Sequence, residues 1–379
     1  MSRHPLPILR TSERRDFGDC EQKWYWSWRM GLRPLGATAV PLWFGSLVHE
    51  ALAAWYLPGL KRGPHPAETF ERLAGDEIQY MKVSNSLGNG AEMITEETLV
   101  DAHALGIKML EGYVDHWGKD ERWRVIKPEQ TFQMDVADPR SKKGRLIGIF
   151  AGTYDLVYID EADGTVWLGE HKTAKAIRTG HLPLDPQAGG YWTVATDHLR
   201  RERLIKKGQS LRGIQYNFLR KAFPDERPRN ADGYACNKPT KAHYWAALDA
   251  ADPRSNWTGS KHTIAEMEAF ASENGIIVFG DVSKNQPKPL FEREKVYRTA
   301  SERAMQIHRM QNEFIRMEPL RRGEIEPLKH PTMDCEWRCP HYQMCLLHEQ
   351  GGDYESYMDA AYEVRDPYAD HRKTTEGDD

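Results

Sequence analysis

Apolar and polar positions change period several times along the chain, and each change marks an element. Residues 12–30 repeat at helical spacing behind Ser12, a suitable N-cap, with Glu13 to Asp16 where acids favour a helix start. Cys20 falls on this predicted helix, followed by Trp24, Tyr25, Trp26 and Trp28. So dense an aromatic run reads as shielding for a core or cofactor rather than a platform for stacking bases. A second helix is predicted over 45–57, stopped by Pro58-Gly59. Helical periodicity continues from about 66 to 120 around the turn-rich Ser84–Gly90 stretch and carries no chemical motif, which predicts a helical insertion over about 60–122. Alternation then predicts strands at 146–159 and 165–173, with the hairpin signal Asp163-Gly164 between them. Asp185-Pro186 opens a helix to about Lys207, with Asp as cap and Pro at the first position, and Leu211–Leu219 alternates as another strand. Residues 222–290 are rich in Pro, Asn and Gly, with one helix expected at 263–273, and a long amphipathic helix is expected over 293–316. Strands interleaved with helices give an α/β fold: a mixed central sheet flanked by helices.

The hairpin has a calculable consequence. With Asp163-Gly164 as a two-residue loop, Asp155 lies opposite Lys172; with a four-residue loop it lies opposite Glu170. Residues two apart on a strand share a face, so either register gathers Asp155, Glu170 and Lys172 with Val157, Ile159, Val166 and Leu168. Two carboxylates on an apolar face repel each other and are costly to desolvate unless a cation lies between them. A divalent metal resolves both problems, held by Asp155, Glu170 and the backbone carbonyl of His171, with Lys172 placed to stabilise developing negative charge.

The 379 residues allow one large core or two smaller ones, and a hydrophobic fraction of 40% with 28% charged is that of a soluble globular protein. No apolar run is long enough to span a membrane, and the first residues lack the apolar stretch of a signal peptide. The net charge of −4 gives no sign of a nucleic-acid binder, but it hides basic groups at Arg200-Arg201, Lys206-Lys207 and Arg220-Lys221. Acidic residues from Glu363 onward predict a solvated tail, with 351–379 expected to be disordered. Five cysteines, an odd number, point to a reducing, cytoplasmic compartment and to metal ligation rather than disulfides. Cys335, Cys339 and Cys345 lie close together, Cys20 stands alone near the start, and Cys236, in a turn-rich stretch, reads as an ordinary free thiol. Four thiolates can hold a zinc ion or a [4Fe–4S] cube.

Gly152-Thr-Tyr-Asp155 followed by Glu170-His-Lys172 resembles the core of the PD-(D/E)XK nuclease superfamily. Gly45-Ser-Leu-Val-His49 and Gln187-Ala-Gly-Gly-Tyr191 resemble two further motifs of its RecB-type branch. Cys20 with Cys335, Cys339 and Cys345 resembles the iron–sulfur staple of AddB, of CRISPR-associated adaptation nucleases and of phage exonucleases. The resemblance covers residues 12 to about 347 and implies a restriction-endonuclease-like core forming a single nuclease domain over 1–350. It implies His49, Asp155 and Glu170 as ligands of Mg2+ or Mn2+, Lys172 as the catalytic lysine, and Gln187 and Tyr191 as DNA contacts. It also implies a [4Fe–4S] cluster tying the first helix to the last segment, shielded by Trp337 and Pro340. The spacing Cys335-x-x-x-Cys339 departs from the usual two-residue gap and leaves His341 and His348 as alternative ligands.

The expected function is therefore metal-dependent hydrolysis of DNA, exonucleolytic by analogy, in recombination, repair or processing, with a recombination or helicase partner conceivable. Two other readings stand beside it. One is a non-catalytic DNA-end-binding accessory protein, which the presence of Asp155, Glu170 and Lys172 together argues against. The other is a zinc-stabilised interaction protein whose acidic pair is only structural.

Overall fold

The computed structural model describes residues 6–35, 40–86, 96–251, 257 and 261–369. Strand β1 (Ile8–Arg10) leads into α1 (Thr11–Asp19), α2 (Glu21–Trp24), a π-helical turn and β2 (Leu32–Pro34). Helices α3 (Val40–Trp55), α4 (Pro66–Ser86) and α5 (Glu96–Trp117) precede β3 (Trp123–Ala137), β4 (Leu146–Asp160) and β5 (Thr165–Ala174). Next come α6 (Pro186–Arg201), β6 (Leu211–Arg220), α7 (Lys241–Ala251), α8 (Ile264–Glu273), β7 (Phe291–Val296) and α9 (Ala300–Arg321). Short helices α10 (Cys335–Arg338), α11 (Tyr342–Glu349) and α12 (Tyr354–Ala361) lead to β8 (Tyr362–Val364). Among the described residues, no helix is long and apolar enough to cross a membrane.

The sheet is mixed, as expected. β4 pairs antiparallel with β3 and β5 and parallel with β1, β5 runs parallel to β6, and β7 closes the edge antiparallel to β6. Val157, Ile159, Val166 and Leu168 turn into the main core with Val194, Leu199, Met310 and Phe314 from α6 and α9. The opposite face packs against α3 and α5, which bury Tyr56 and Tyr113.

The sequence-based expectations and the structure part at several places. The helix expected over 12–30 breaks at Cys20, whose backbone is extended (φ −164, ψ 117) and caps α1 and α2 at once. The helix expected over 293–316 begins at Ala300, where Thr299 caps it and Glu302 returns a hydrogen bond; Phe291–Val296 is instead the edge strand. The segment expected to be a disordered tail folds through Val364: β8 pairs with β2, and Tyr362 is buried with Trp26, Leu32 and Met344. Residues 370–379 lie outside the described residues, as do 87–90 of the expected turn. Within 222–290 the helix expected at 263–273 forms as α8, and α7 precedes it unforeseen. The chain divides into Met1–Lys221 with Phe291–Asp379, and Ala222–Leu290, where Leu248, Met267 and Ala271 form a small core of their own.

Candidate active site

β4 changes neighbour halfway along its length. Ile149–Ala151 pair with β1, and Leu156–Asp160 pair with β5. Between them Gly152-Thr-Tyr-Asp155 has no strand partner on that edge, so the ladder opens at Asp155. His171 N–H, released from the ladder, donates instead to Asp155 Oδ2 at 2.7 Å. The hairpin turn is four residues long, not two: Asp160 pairs with Thr165 and Leu156 with Gly169, while Gly164 takes the left-handed conformation (φ +71). Extending that register sets Asp155 across from Glu170, the alternative that keeps both acids and Lys172 on one face.

These groups are tightly tied. Lys172 Nζ donates to Glu170 Oε1 at 2.6 Å and to Gln187 Oε1 at 2.8 Å. Gln187 Nε2 donates to the same Glu170 oxygen at 2.6 Å and reaches Tyr191 Oη at 3.3 Å. Asp185 caps α6 by accepting the Gln187 N–H at 2.6 Å, which fixes where Gln187 starts. Gly189 and Gly190 are needed for packing: a Cβ there would strike Gln306 and Phe150. At Gly45, among the described residues, a Cβ would meet Thr173 Oγ1 at 3.6 Å, an ordinary contact.

His49 comes from α3, its Nδ1 3.3 Å from Asp155 Oδ1. Burial opposes its charge, but Asp155 overrides this and lifts its pKa to about 9. Asp155 is itself driven the opposite way by burial, yet the cations around it, His49 foremost, hold it below the ordinary carboxylate range. Glu170 is pushed up, by burial and then by the Asp155 charge. One oxygen of Glu170 takes both Lys172 and Gln187, while the other, Oε2, is buried with no hydrogen-bond partner among the described residues. An orphaned carboxylate oxygen in a buried acidic site is a donor that suits a divalent cation.

Glu129 was not anticipated. Among the described residues, His49, Glu129 and Asp155 are the group whose ligand atoms all lie within 4.8 Å of one another. Glu129 sits on β3 where the flanking pairs, Pro128 with Leu156 and Gln130 with Tyr154, set it across from Asp155. Its backbone is left-handed (φ +47), an unfavourable state for a non-glycine residue inside a strand. Although its surface is exposed, its carboxyl is raised to about 7 by loss of water and by Asp155.

Behind the acids, on the other sheet face, lies a buried network. The His171 ring stacks on Tyr56 and its Nδ1 lies 2.9 Å from Asn217 Nδ2. Asn217 Oδ1 accepts from Arg293, whose guanidinium grips both oxygens of Asp120 at 2.6 and 2.8 Å between the rings of Trp117 and Trp123.

Cys20, Cys335, Cys339 and Cys345 line one cavity of about 720 Å³, with Trp26, Lys23 and Lys329 also in its wall. The Cys20 sulfur accepts the His330 N–H at 3.5 Å, and the Cys335 sulfur the Thr332 N–H at 3.3 Å. No three of these sulfurs lie within 4.8 Å of one another. The expected shield, Trp337, is instead 71% exposed, held out over Arg338. Pro340 accepts Tyr362 Oη through its carbonyl. His341 is buried against Ser27, and His348 lies beside Lys329.

Comparison with known proteins identifies a family. The family model described as the PD-(D/E)XK nuclease superfamily matches residues 11–346. A crystal structure of a Eubacterium rectale protein named as a candidate exonuclease aligns at 11% identity with a TM-score of 0.37, covering 88% of this chain and 87% of that one. No curated protein matches the chain.

Proposed function

This chain belongs to the PD-(D/E)XK nuclease superfamily, and from that premise we propose that it is a metal-dependent deoxyribonuclease acting at Asp155, Glu170 and Lys172. The observation that carries the proposal is the buried, unpartnered Glu170 Oε2 beside Asp155. His49, Asp155, Glu170 and Glu129, with the His171 carbonyl, form a set of oxygen and imidazole donors suited to Mn2+ or Mg2+. Such an ion supplies a water of lowered pKa and neutralises charge on a phosphoryl oxygen. The protein supplies the rest. Lys172 stays protonated, since Glu170 and Asp155 outweigh the burial that opposes its charge, and it offers an ammonium to the developing negative charge. Gln187 holds Lys172 and Glu170 in fixed relation, and Tyr191 backs it. Attack on DNA ends, in recombination, repair or processing, follows from the resemblance of the cysteine pattern to the AddB-like branch. End-labelled DNA incubated with Mn2+ and with EDTA tests the reading; equal cleavage in both removes it.

The same ligands predict how metal affinity varies with pH. Bound metal must displace the His49 proton, held to about 9, the Glu129 proton, held to about 7, and the raised Glu170 proton. Protons compete with metal, so affinity weakens as pH falls. The Mn2+ concentration for half-maximal cleavage should decrease steadily from pH 6 to 9. Glu129→Gln should raise it about tenfold or more at pH 8, the scale seen when support for a metal site is lost. A flat pH profile, or a Glu129→Gln midpoint equal to wild type, excludes this ligand set.

The cavity of cysteines we assign to a [4Fe–4S] cluster. A tetrahedral zinc with Zn–S bonds of about 2.3 Å would draw all four sulfurs to about 3.8 Å apart, whereas no three of these lie within 4.8 Å of one another. Amide N–H groups already directed at two sulfurs are the kind that tune such clusters. Cys345→Ser should lower soluble yield and abolish visible absorbance. Unchanged melting and colour, or zinc in place of iron in anaerobic wild-type protein, would overturn the assignment.

A further inference from the structure

Past the cutting site, two ammonium groups stand at neighbouring strand ends with no carboxylate among the described residues to balance them. β5 and β6 run parallel and finish together: Ala174 pairs with Arg220, and the Lys221 N–H donates to the Ala174 carbonyl at 2.8 Å. Lys175 and Lys221 therefore leave the sheet side by side. Lys221 is half-buried, its Nζ 5.4 Å from the centre of the Phe44 ring on α3, while Lys175 is exposed. Burial first, and then the Lys175 charge, press the Lys221 ammonium below its ordinary pKa, and no acidic group among the described residues offsets them. Like charges held together without a counter-ion cost the folded protein stability, and such costs are retained where a ligand needs them. An oxyanion seated between two ammonium groups removes their repulsion and gains charge-assisted hydrogen bonds.

Lys175 lies three residues beyond Lys172, just past the end of β5, at most about 10 Å away at about 3.3 Å per residue. Successive phosphates wind about the axis and stand farther apart than their axial rise of about 3.4 Å, so the pair reaches a phosphate next to the one cleaved. We propose that Lys175 and Lys221 form a phosphate-binding site that grips the substrate backbone beside the phosphate cleaved, a site that rests on the nuclease reading of Asp155, Glu170 and Lys172. Phe44 orients the Lys221 head and supports its alkyl stem, so the site is built from α3 as well as from the two strands.

The test uses the whole protein and a fluorescein-labelled 20-nucleotide single strand, with binding followed by anisotropy in EDTA so that no hydrolysis is required. Lys175→Gln/Lys221→Met should bind at least about tenfold more weakly at 0.1 M salt. The slope of log K against log salt should become shallower by about 1.4, two contacts at about 0.7 each. The melting temperature should hold or rise, because methionine keeps the packing on Phe44 and removes the repulsion. With Mn2+, the variant should hydrolyse thymidine 5′-p-nitrophenyl phosphate as fast as wild type, since that single diester is too short to reach the pair. Unchanged affinity and salt slope overturn the site, as does a fall in melting temperature large enough to account for the weaker binding. Wild type that binds the 20-mer but hydrolyses neither substrate would overturn the nuclease reading while leaving the phosphate contacts standing.

Discussion

Asp155→Asn should reduce DNA hydrolysis at least about 1,000-fold, or about 4 kcal/mol of transition-state stabilisation at 1.36 kcal/mol per tenfold, while leaving the fold intact. Asparagine has the volume of aspartate, and its oxygen can still accept the His171 N–H that bonds Asp155 Oδ2 at 2.7 Å. What it lacks is the charge that lifts His49 and that faces Glu170 and Glu129. Both the donor set for a dication and its electrostatic reason for binding are lost, so added Mn2+ should not restore turnover. Lys172→Ala should behave differently: a loss of about 100- to 1,000-fold, the range for removal of one group aimed at developing charge, with the Mn2+ midpoint little changed. Titrating Mn2+ against cleavage of end-labelled DNA separates the two. Equal product from wild type and both variants would show that the chemistry happens elsewhere.

The second large effect concerns stability rather than turnover. Asp120→Asn should cost about 3–5 kcal/mol of unfolding free energy, the range for breaking one partner of a buried ion pair. Side chains of Arg293 and Asp120 are 13% and 6% exposed, and Tyr56 Oη donates to Asp120 at 2.7 Å. Asp120 has a left-handed backbone (φ 48), which asparagine tolerates well, so the substitution isolates the charge from backbone strain. With the carboxylate gone, the guanidinium sandwiched between Trp117 and Trp123 has no counter-charge. Asp120→Asn/Arg293→Met should recover part of the loss, because it removes the stranded cation as well. Urea unfolding measures both variants. A cost under about 1 kcal/mol for the single change would mean that water reaches the pair and screens it.

The chemistry was legible where strand parity carried it. Asp155, Glu170 and Lys172 share a face under either even turn, so the choice between a two-residue and a four-residue loop did not have to be made. Gln187 and Tyr191 were found because one helical turn separates them and Asp185-Pro186 marks the start of their helix. Glu129 was missed because β3 was not recognised, although Phe132, Met134 and Val136 alternate with Thr131, Gln133 and Asp135. Pro128 and the left-handed Glu129 obscure that period at the one position that matters. Phe291–Val296 read as helix because four polar residues separate its two buried ends, as suits an edge strand. Cys20 read as helical because propensity carries no information about an extended residue whose cavity is completed by segments more than three hundred positions away.

That cavity has a consequence for biosynthesis. Its wall joins Cys20 to Cys345, and β2 must also wait for β8 before it has a neighbour. At about 5–20 residues per second, about 16–65 s pass between the ribosome's addition of the first of these cysteines and of the last. Throughout that interval Trp24, Trp26 and Trp28, all buried in the finished protein, lack the later elements that cover them. Nascent chains stalled before residue 345 should therefore be the forms that chaperones hold longest.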